Sequence, residues 1–355
     1  MISISDEAMS ALTRSWRYRA QVQSWRGGEL LAADVPLVSG SEEVDRSLRV
    51  PERMTMTVPR VERGFSWDPV EHDHPLAAFG QRLWVRLGVD LGRYTEWFLR
   101  GEYLITDSST EGDTVTVEAA GLLQLVDEAR LSSPFQPSGT FVSTLRSLVE
   151  PALTVYTADA PEDRSVPTGL NWDEDRLGAV LELLETWPAT AYVTGDGFLV
   201  VEEVADSTDV VLSLTDGEDG TVLNWGGTSS RDGGYNLVVA RGADSDGNQL
   251  QAVAYDYSGP TAYQGPFNPL PVPYFYSSPL LTTQDQCQKA ANTRLASLQA
   301  DRSTRITATC VPHPALQAGD AVHVTGRGLT AAWCIVEALT LPYQPGEMTL
   351  TLRVV

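Results

Sequence analysis

The one dense run of metal-ligating side chains in this sequence is Glu71-His72-Asp73-His74. Two imidazoles at i and i+2 on a strand point the same way and can share a zinc ion. Pro69 and Pro75 flank the run, so it reads as a solvated loop, and no third ligand is marked. Asp244-Ser245-Asp246-Gly247-Asn248 has the composition of a calcium loop. Its glycine falls too early for the twelve-residue pattern, and the closing bidentate glutamate is missing. Asp, Gly and Asn tolerate left-handed backbone, so a hairpin turn accounts for every residue. Asp173, Glu174 and Asp175 offer the carboxylates of a glycosidase. Consecutive residues at a helix start cannot all converge on one bond, and acidic groups there complement the helix dipole.

The sequence has no G-x-S-x-G, no H-E-x-x-H, no phosphate-binding loop and no dinucleotide fingerprint. His313 sits between Pro312 and Pro314, and His323 lies in the last β-unit; both read as structural or surface positions. Tryptophans are sugar-stacking platforms in some proteins, but Trp84, Trp97, Trp187 and Trp333 fall at element ends. Core or subunit-interface packing is expected there. Trp84, Trp97, Tyr103, Trp333 and Tyr343 are the candidate interface residues. No catalytic residue, cofactor site or metal site is assigned.

Two stretches some 230 residues apart repeat one pattern of elements. Phe79 to Gly88, Trp97 to Asp107 and Thr114 to Ala119 make the first; Leu316 to Val324, Trp333 to Leu339 and Met348 to Arg353 make the second. Each is a glycine-bearing strand, an aromatic-led strand, a polar turn and a strictly alternating strand, with one set of side chains facing a core. Residues 6–14 suit a short helix, and Gly27-Gly28 a tight turn between two strands. The middle differs. Phe141, Leu145, Leu148 and Val149 follow helical spacing, as do Leu177, Val180, Leu181 and Leu184 in a helix of roughly 173–187 that Pro188 ends. A hairpin follows over residues 191–202. Residues 259–279, punctuated by proline, predict an extended, semi-rigid segment. A helix over about 283–299 precedes the closing β-unit.

At 355 residues the chain is long enough for two or three domains. A net charge of −22 argues against gripping nucleic acid through its phosphates, which requires clustered cations. Acidity still permits DNA as a passenger, because a negative wall repels phosphate; solubility is the plainer use. Cys287, Cys310 and Cys334 lack CxxC spacing and read as buried free thiols. The N-terminus lacks the basic region and apolar run of a signal peptide. No apolar stretch reaches the ~20 residues of a membrane span, so no membrane insertion is expected.

The chain resembles minor tail proteins of the baseplate or tail-hub family, particularly those of long-tailed phages infecting actinobacteria. The likeness rests on Phe79 to Gly88, Gly101-Glu102-Tyr103-Leu104-Ile105-Thr106-Asp107 and Gly121-Leu122-Leu123-Gln124-Leu125. It continues through Ser230-Arg231-Asp232, Tyr235 to Val239, and His313-Pro314-Ala315-Leu316 with Gly319-Asp320 and Met348-Thr349-Leu350. The expected fold is a β-rich α+β protein with two small β-barrel domains, an inserted α/β domain and a helix-bearing segment. Residues 1–120 would form the first barrel and 121–222 the inserted domain. Residues 223–279 and 305–355 would make the second barrel, separated by a helical segment at 280–304. The resemblance further implies a homotrimeric ring in the virion, assembled in the host cytoplasm. Two quasi-equivalent barrels per subunit would give that ring near-sixfold symmetry. Its partners would be the distal tail or tail-tube protein, the tape-measure protein and other tail-tip or fibre proteins, with DNA a transient passenger. Many relatives carry a further peptidase, lysozyme-like or fibre domain after the second barrel; here the sequence stops, and no enzymatic activity is expected. Two alternatives remain open: a host cell-wall glycan-binding module or the spike hub of a secretion apparatus, and a wall hydrolase using Asp173 or Glu174.

Overall fold

The alternating sequences at the two ends fold into matching strand sets that share one large sheet. The computed structural model describes all residues except 15, 167–169, 188, 204–208, 219, 228–230, 232, 245, 279–280, 302–304 and 327. Pro188, Ser230, Asp232 and Ser245, used in the sequence reading, therefore lie outside the described residues.

The first set begins with helix α1 (Asp6–Leu12), whose first turn is capped by the Ser5 side chain accepting from the Ala8 N–H. Strands β1 (Arg17–Arg26), β2 (Glu29–Ala32), β3 (Ser39–Asp45) and β4 (Glu52–Pro59) follow, then the small hairpin β5 (Val61–Glu62) and β6 (Phe65–Ser66). Strands β7 (Gln81–Asp90), β8 (Thr95–Glu111) and β9 (Thr114–Gly121) complete it. The inserted region contains α2 (Gln124–Glu128), α3 (Phe141–Val149), β10 (Thr154–Asp159), α4 (Arg176–Thr186), β11 (Ala189–Val193) and β12 (Phe198–Glu203). Its three strands pair in the order β10-β12-β11. Leu145, Leu148, Leu177, Val180, Leu183 and Leu199 form its core, which reaches back to Leu104 on β8.

The closing part contains β13 (Val210–Thr215), β14 (Val222–Gly227), β15 (Leu237–Ala243), β16 (Gln249–Tyr255), β17 (Pro273–Ser277), α5 (Gln284–Asp301), β18 (Arg305–Cys310), β19 (Ala321–Gly326), β20 (Leu329–Pro342) and β21 (Met348–Val354). Strands β15 to β17 make a separate sheet, with α5 packed on it through Cys287, Ala291 and Leu295. Residues 223–279 therefore divide, with β14 joining the large sheet and β15–β17 standing apart. The proline-rich segment ends not as a free extended chain but as β17, parallel to β15. Pro273 opens the strand, the one strand position where a missing N–H is harmless.

The repeat seen in the sequence is a repeat of topology. The strand order β1-β7-β8-β9-β4-β3 at one end matches β13-β19-β20-β21-β18-β14 at the other. Each set has a long central strand with a bulge, at Thr106 in β8 and at Glu337 in β20. The extra residue lets the strand bend without losing its ladder. One pairing differs: β1 runs antiparallel to β7, whereas β13 runs parallel to β19. Among the described residues neither set closes on itself as a barrel. Instead β3 pairs with the end of β20, from Ala338↔Asp45 to Pro342↔Ser41, and fuses both sets into one 13-stranded sheet. The core is correspondingly continuous, with Met54, Met56, Leu83 and Val117 in the same cluster as Val322, Val336 and Leu350.

Candidate functional site

The β3–β20 pairing creates a surface that neither strand set has alone. Seven strands, in the order β9-β4-β3-β20-β21-β18-β14, run across the molecule. At ~4.8 Å per strand this sheet is roughly 29 Å wide. Period-two alternation fixes what each side shows. Met54, Met56, Val115, Val117, Leu339, Leu350, Leu352, Ile306 and Ala308 face the core. Their neighbours face away: Thr114 and Thr116 on β9, Thr55 and Thr57 on β4, Ser41 on β3, Thr340 on β20, Thr349 and Thr351 on β21, Thr307 and Thr309 on β18. One row of cross-strand partners reads Arg53, Glu43, Thr340, Thr349, Thr309 and Asn224. Threonine is at home here because its branched side chain suits a pleated surface.

The threonine rows of this outward face carry no aromatic side chain; Trp333, turned to the same side of β20 by alternation with core-facing Cys334 and Val336, lies half-buried towards the start of that strand. The charges of the face nearly balance: Glu43, Asp45, Glu118 and Glu337 against Arg53, Arg305 and Arg353. Glu337 holds both Arg305 (2.7 Å) and Arg353 (3.1 Å). The acidity of the chain is elsewhere. Residues 121–222 contain nineteen Asp and Glu against four Arg, a net charge of −15. The face is thus hydroxyl-rich and near-neutral, not the negative wall that overall composition suggests.

Behind the face, a buried ion pair locks the two strand sets together. Arg100 Nε and Nη2 lie 2.7 and 2.5 Å from Glu42 Oε1, with the two side chains 3% and 1% exposed. Arg100 Nη1 also donates to the carbonyls of Pro314 (2.7 Å) and Leu316 (2.9 Å), across the junction. Tyr103 donates to Glu42 Oε2 at 2.8 Å, Tyr343 reaches the same oxygen at 3.5 Å, and Tyr18 donates to Pro342 O at 2.6 Å. Burial next to the Glu42 carboxylate pushes all three phenols well above their ordinary range. The Met1 ammonium and Asp320 form a second tie between the two ends.

Two further titratable groups lie at this junction. The Glu52 carboxyl is enclosed, Oε2 has no partner, and burial, aided by nearby Glu42, raises it to about 7. His313 is 6% exposed with neither ring nitrogen bonded, and burial lowers it to about 4.

The sequence-selected residues scatter. Tyr103 and Tyr343, expected at a subunit interface, are 2% exposed and belong to the junction inside the chain. Trp333 is half-buried on β20, with an unbonded indole N–H. Trp84 and Trp97 lie on the outward side of β7 and β8, away from the threonine-bearing strands. Glu71 to His74 forms a turn held by Gln81, which donates to the carbonyls of His72 (2.8 Å) and His74 (3.0 Å). No group of metal-ligating side chains occurs among the described residues. Asp244 accepts from the N–H of Asp246 (3.0 Å) and of Asn248 (2.8 Å) in the β15–β16 turn. Asp175 caps α4 by accepting from Gly178 N–H at 2.9 Å, and Arg49 beside it helps hold its carboxyl down at about 2. Sequence reading missed Glu42 and Arg100, whose burial depends on partners 58 residues apart. The alternate threonines of β4, β9, β18 and β21 were the available signal for the face.

No protein-family model matches the chain, and no curated protein matches it by sequence. Solved structures do match in fold. The chain is similar to the tail protein from Neisseria meningitidis MC58, with a TM-score of 0.69 and 13% identity over 94% of this chain and 96% of that one. It is similar to the 43 kDa tail protein of prophage MuSo2 from Shewanella oneidensis, with a TM-score of 0.62 and 15% identity over 94% and 98%. A type VI secretion component of E. coli, itself described as similar to bacteriophage T4 tail proteins, gives 0.50 and 14% over 95% and 77%. The fold is that of phage tail and secretion-system tail-like proteins. Identities this low establish the fold and not the activity.

Proposed function

We propose that the chain is a non-enzymatic structural protein of a phage tail tip or baseplate, of the hub type found in actinobacteriophages. It assembles as a homotrimeric ring in the virion. The ring joins the tail-tube protein to tip or fibre proteins, and tape-measure protein and DNA leave through its hole. In this reading each strand set takes the place of one small barrel, so three chains give six quasi-equivalent positions.

The observation that carries the reading is the threonine-faced sheet across both strand sets. Three copies side by side would bring three times seven strands round a ring. At ~4.8 Å per strand the backbone circle is roughly 100 Å round and about 32 Å across before strand tilt widens it. Side chains of about 5 Å on each wall leave a bore of roughly 20 Å, the width of a DNA duplex. A lumen must let a polyanion slide. A wall without a cationic excess offers phosphate no counterion-releasing contacts, and rows of threonine offer bases no stacking platform.

Light scattering on the purified protein, with negative-stain microscopy, tests the reading. A species of three times 38.6 kDa seen as a ring with a central hole is expected. A monomer at every concentration would count against it. The fold likeness to a secretion component supports a second reading, the spike hub of a secretion apparatus. Finding the protein in purified phage particles separates the two.

A further inference from the structure

Opposite in character to the threonine face is the outer side of β1, β7 and the first half of β8. Val22, Leu83, Val85 and Leu87 point into the core. Alternation therefore turns Arg17, Arg19, Trp25, Arg82, Trp84 and Arg86 outward, with Trp97 beside them on β8. Trp25 and Trp84 meet edge to face at 6.4 Å, and the Arg86 guanidinium covers Trp97 at 5.4 Å. Trp97 lies across Gly88, where a Cβ would sit 3.0 Å from its ring, and it remains 38% exposed.

A cavity of about 740 Å³ at one end of this face adds Arg93 and Tyr94, and one of about 670 Å³ at the other end adds Arg26. Face and cavities together present six arginines against two carboxylates, Asp90 and Glu102. Both are already paired, with Arg19 (2.8 Å) and Arg82 (2.9 Å). Arg17 and Arg93 are exposed and form no ion pair among the described residues. On a chain of net charge −22 this is a local inversion of sign. Arginine, tryptophan and tyrosine are also the residues that dominate binding energy at protein interfaces.

The same chain carries a complement. The inserted region up to the end of β12, residues 121–203, holds fourteen Asp and Glu against four Arg, a net charge of −10, and exposes Glu128, Glu162, Asp173 and Glu174, none of them in an ion pair among the described residues. Within one chain the inserted region makes an ion pair to the first strand set through Arg49, which is not on this face. We propose that the arginine–tryptophan face receives the acidic inserted region of a second copy of the chain. Such a contact is heterologous, each copy offering the face to one neighbour and the inserted region to the other, and it closes into a ring when the rotation allows. The inference rests on the assembly reading above and adds which surfaces meet.

A photo-crosslinking benzophenone amino acid at position 23, replacing the outward-facing Gln23 between the tryptophans, tests it in the full chain. Irradiation of the oligomer followed by peptide mass spectrometry should give intermolecular links to residues within 121–203. Arg17→Glu, at an exposed position opposite Asp90, should raise the half-association concentration about tenfold while lowering the unfolding midpoint only slightly. An oligomer whose links fall outside 121–203, or whose association ignores Arg17→Glu, overturns the docking proposal while the ring reading stands. A monomer at all concentrations overturns both.

Discussion

Replacing Arg100 by methionine removes the cation from a buried pair and keeps an unbranched side chain. It leaves the Glu42 carboxylate, 1% exposed, without its counter-charge, and it strips a donor from the carbonyls of Pro314 and Leu316. Removing one partner of a buried pair destabilises by about 3–5 kcal/mol, because the remaining charge cannot reach water. Arg100→Met is therefore expected to lose about 4 kcal/mol. Glu42→Gln removes the stranded charge yet keeps an acceptor for Tyr103 and Tyr343. The double variant Glu42→Gln/Arg100→Met should accordingly recover at least about 2 kcal/mol of the loss, a coupling within the range for contacting residues. Urea unfolding followed by tryptophan fluorescence reads this directly. With a slope of about 3 kcal/mol/M, Arg100→Met moves the midpoint down by about 1.3 M and the double variant by about half as much. A shift below roughly 0.3 M for Arg100→Met, or a double variant no better than the single, would refute the claim that this pair locks the strand sets.

Three further outcomes follow from the same geometry. Glu52, raised from 4.5 to about 7, favours the folded state while protonated, so its contribution is full below pH 4.5 and lost as pH rises to 7; His313, lowered from 6.5 to about 4, contributes fully above pH 6.5 and loses this as pH falls to 4. The two slopes oppose between pH 4.5 and 6.5, so the wild-type midpoint should stay nearly flat there, Glu52→Gln should make it rise with pH and His313→Asn should make it fall; parallel profiles in all three would contradict the assignment. Asp175→Ala should lose about 1 kcal/mol through the α4 cap, read as a lower thermal midpoint, whereas Asp175→Asn keeps most of it. Gly88→Ala places a Cβ 2.5 Å from Thr95 Cγ2 and 3.0 Å from the Trp97 ring, so a loss of about 1–3 kcal/mol with an altered near-ultraviolet spectrum is expected.

The parts of this fold legible in the sequence were those with local causes. Met54-Thr55-Met56-Thr57-Val58 alternates because β4 buries one side only, and the same holds for β9 and β21. The α3 stripe and the Gly27-Gly28 turn declared themselves for equally local reasons, both glycines having positive φ, whereas in α4 Leu183 takes the buried place expected of Leu181, which is 39% exposed. Relations between distant segments were not legible. The β3–β20 pairing joins Val44 to Leu339, and nothing in Ser39–Asp45, a polar and acidic run, announces a central strand. Arg100 sits in Trp97-Phe98-Leu99-Arg100-Gly101, where a register shift against β7 turns it inward; without the bulge it reads as a surface residue. β17 was hidden by its prolines, and β13 by its pairing with β19, more than a hundred residues further along the chain. The threonines of the candidate face were visible singly, but their union into one surface depends on the long-range pairing.

In the proposed assembly the threonine-faced sheet lines the hole of a ring. A cryo-EM reconstruction of the purified assembly tests it most directly. A threefold ring with Thr55, Thr340, Thr349 and Thr309 on the inner wall around a bore of roughly 20 Å is expected. A ring carrying those threonines on its outer wall, or a particle with no hole, would contradict it.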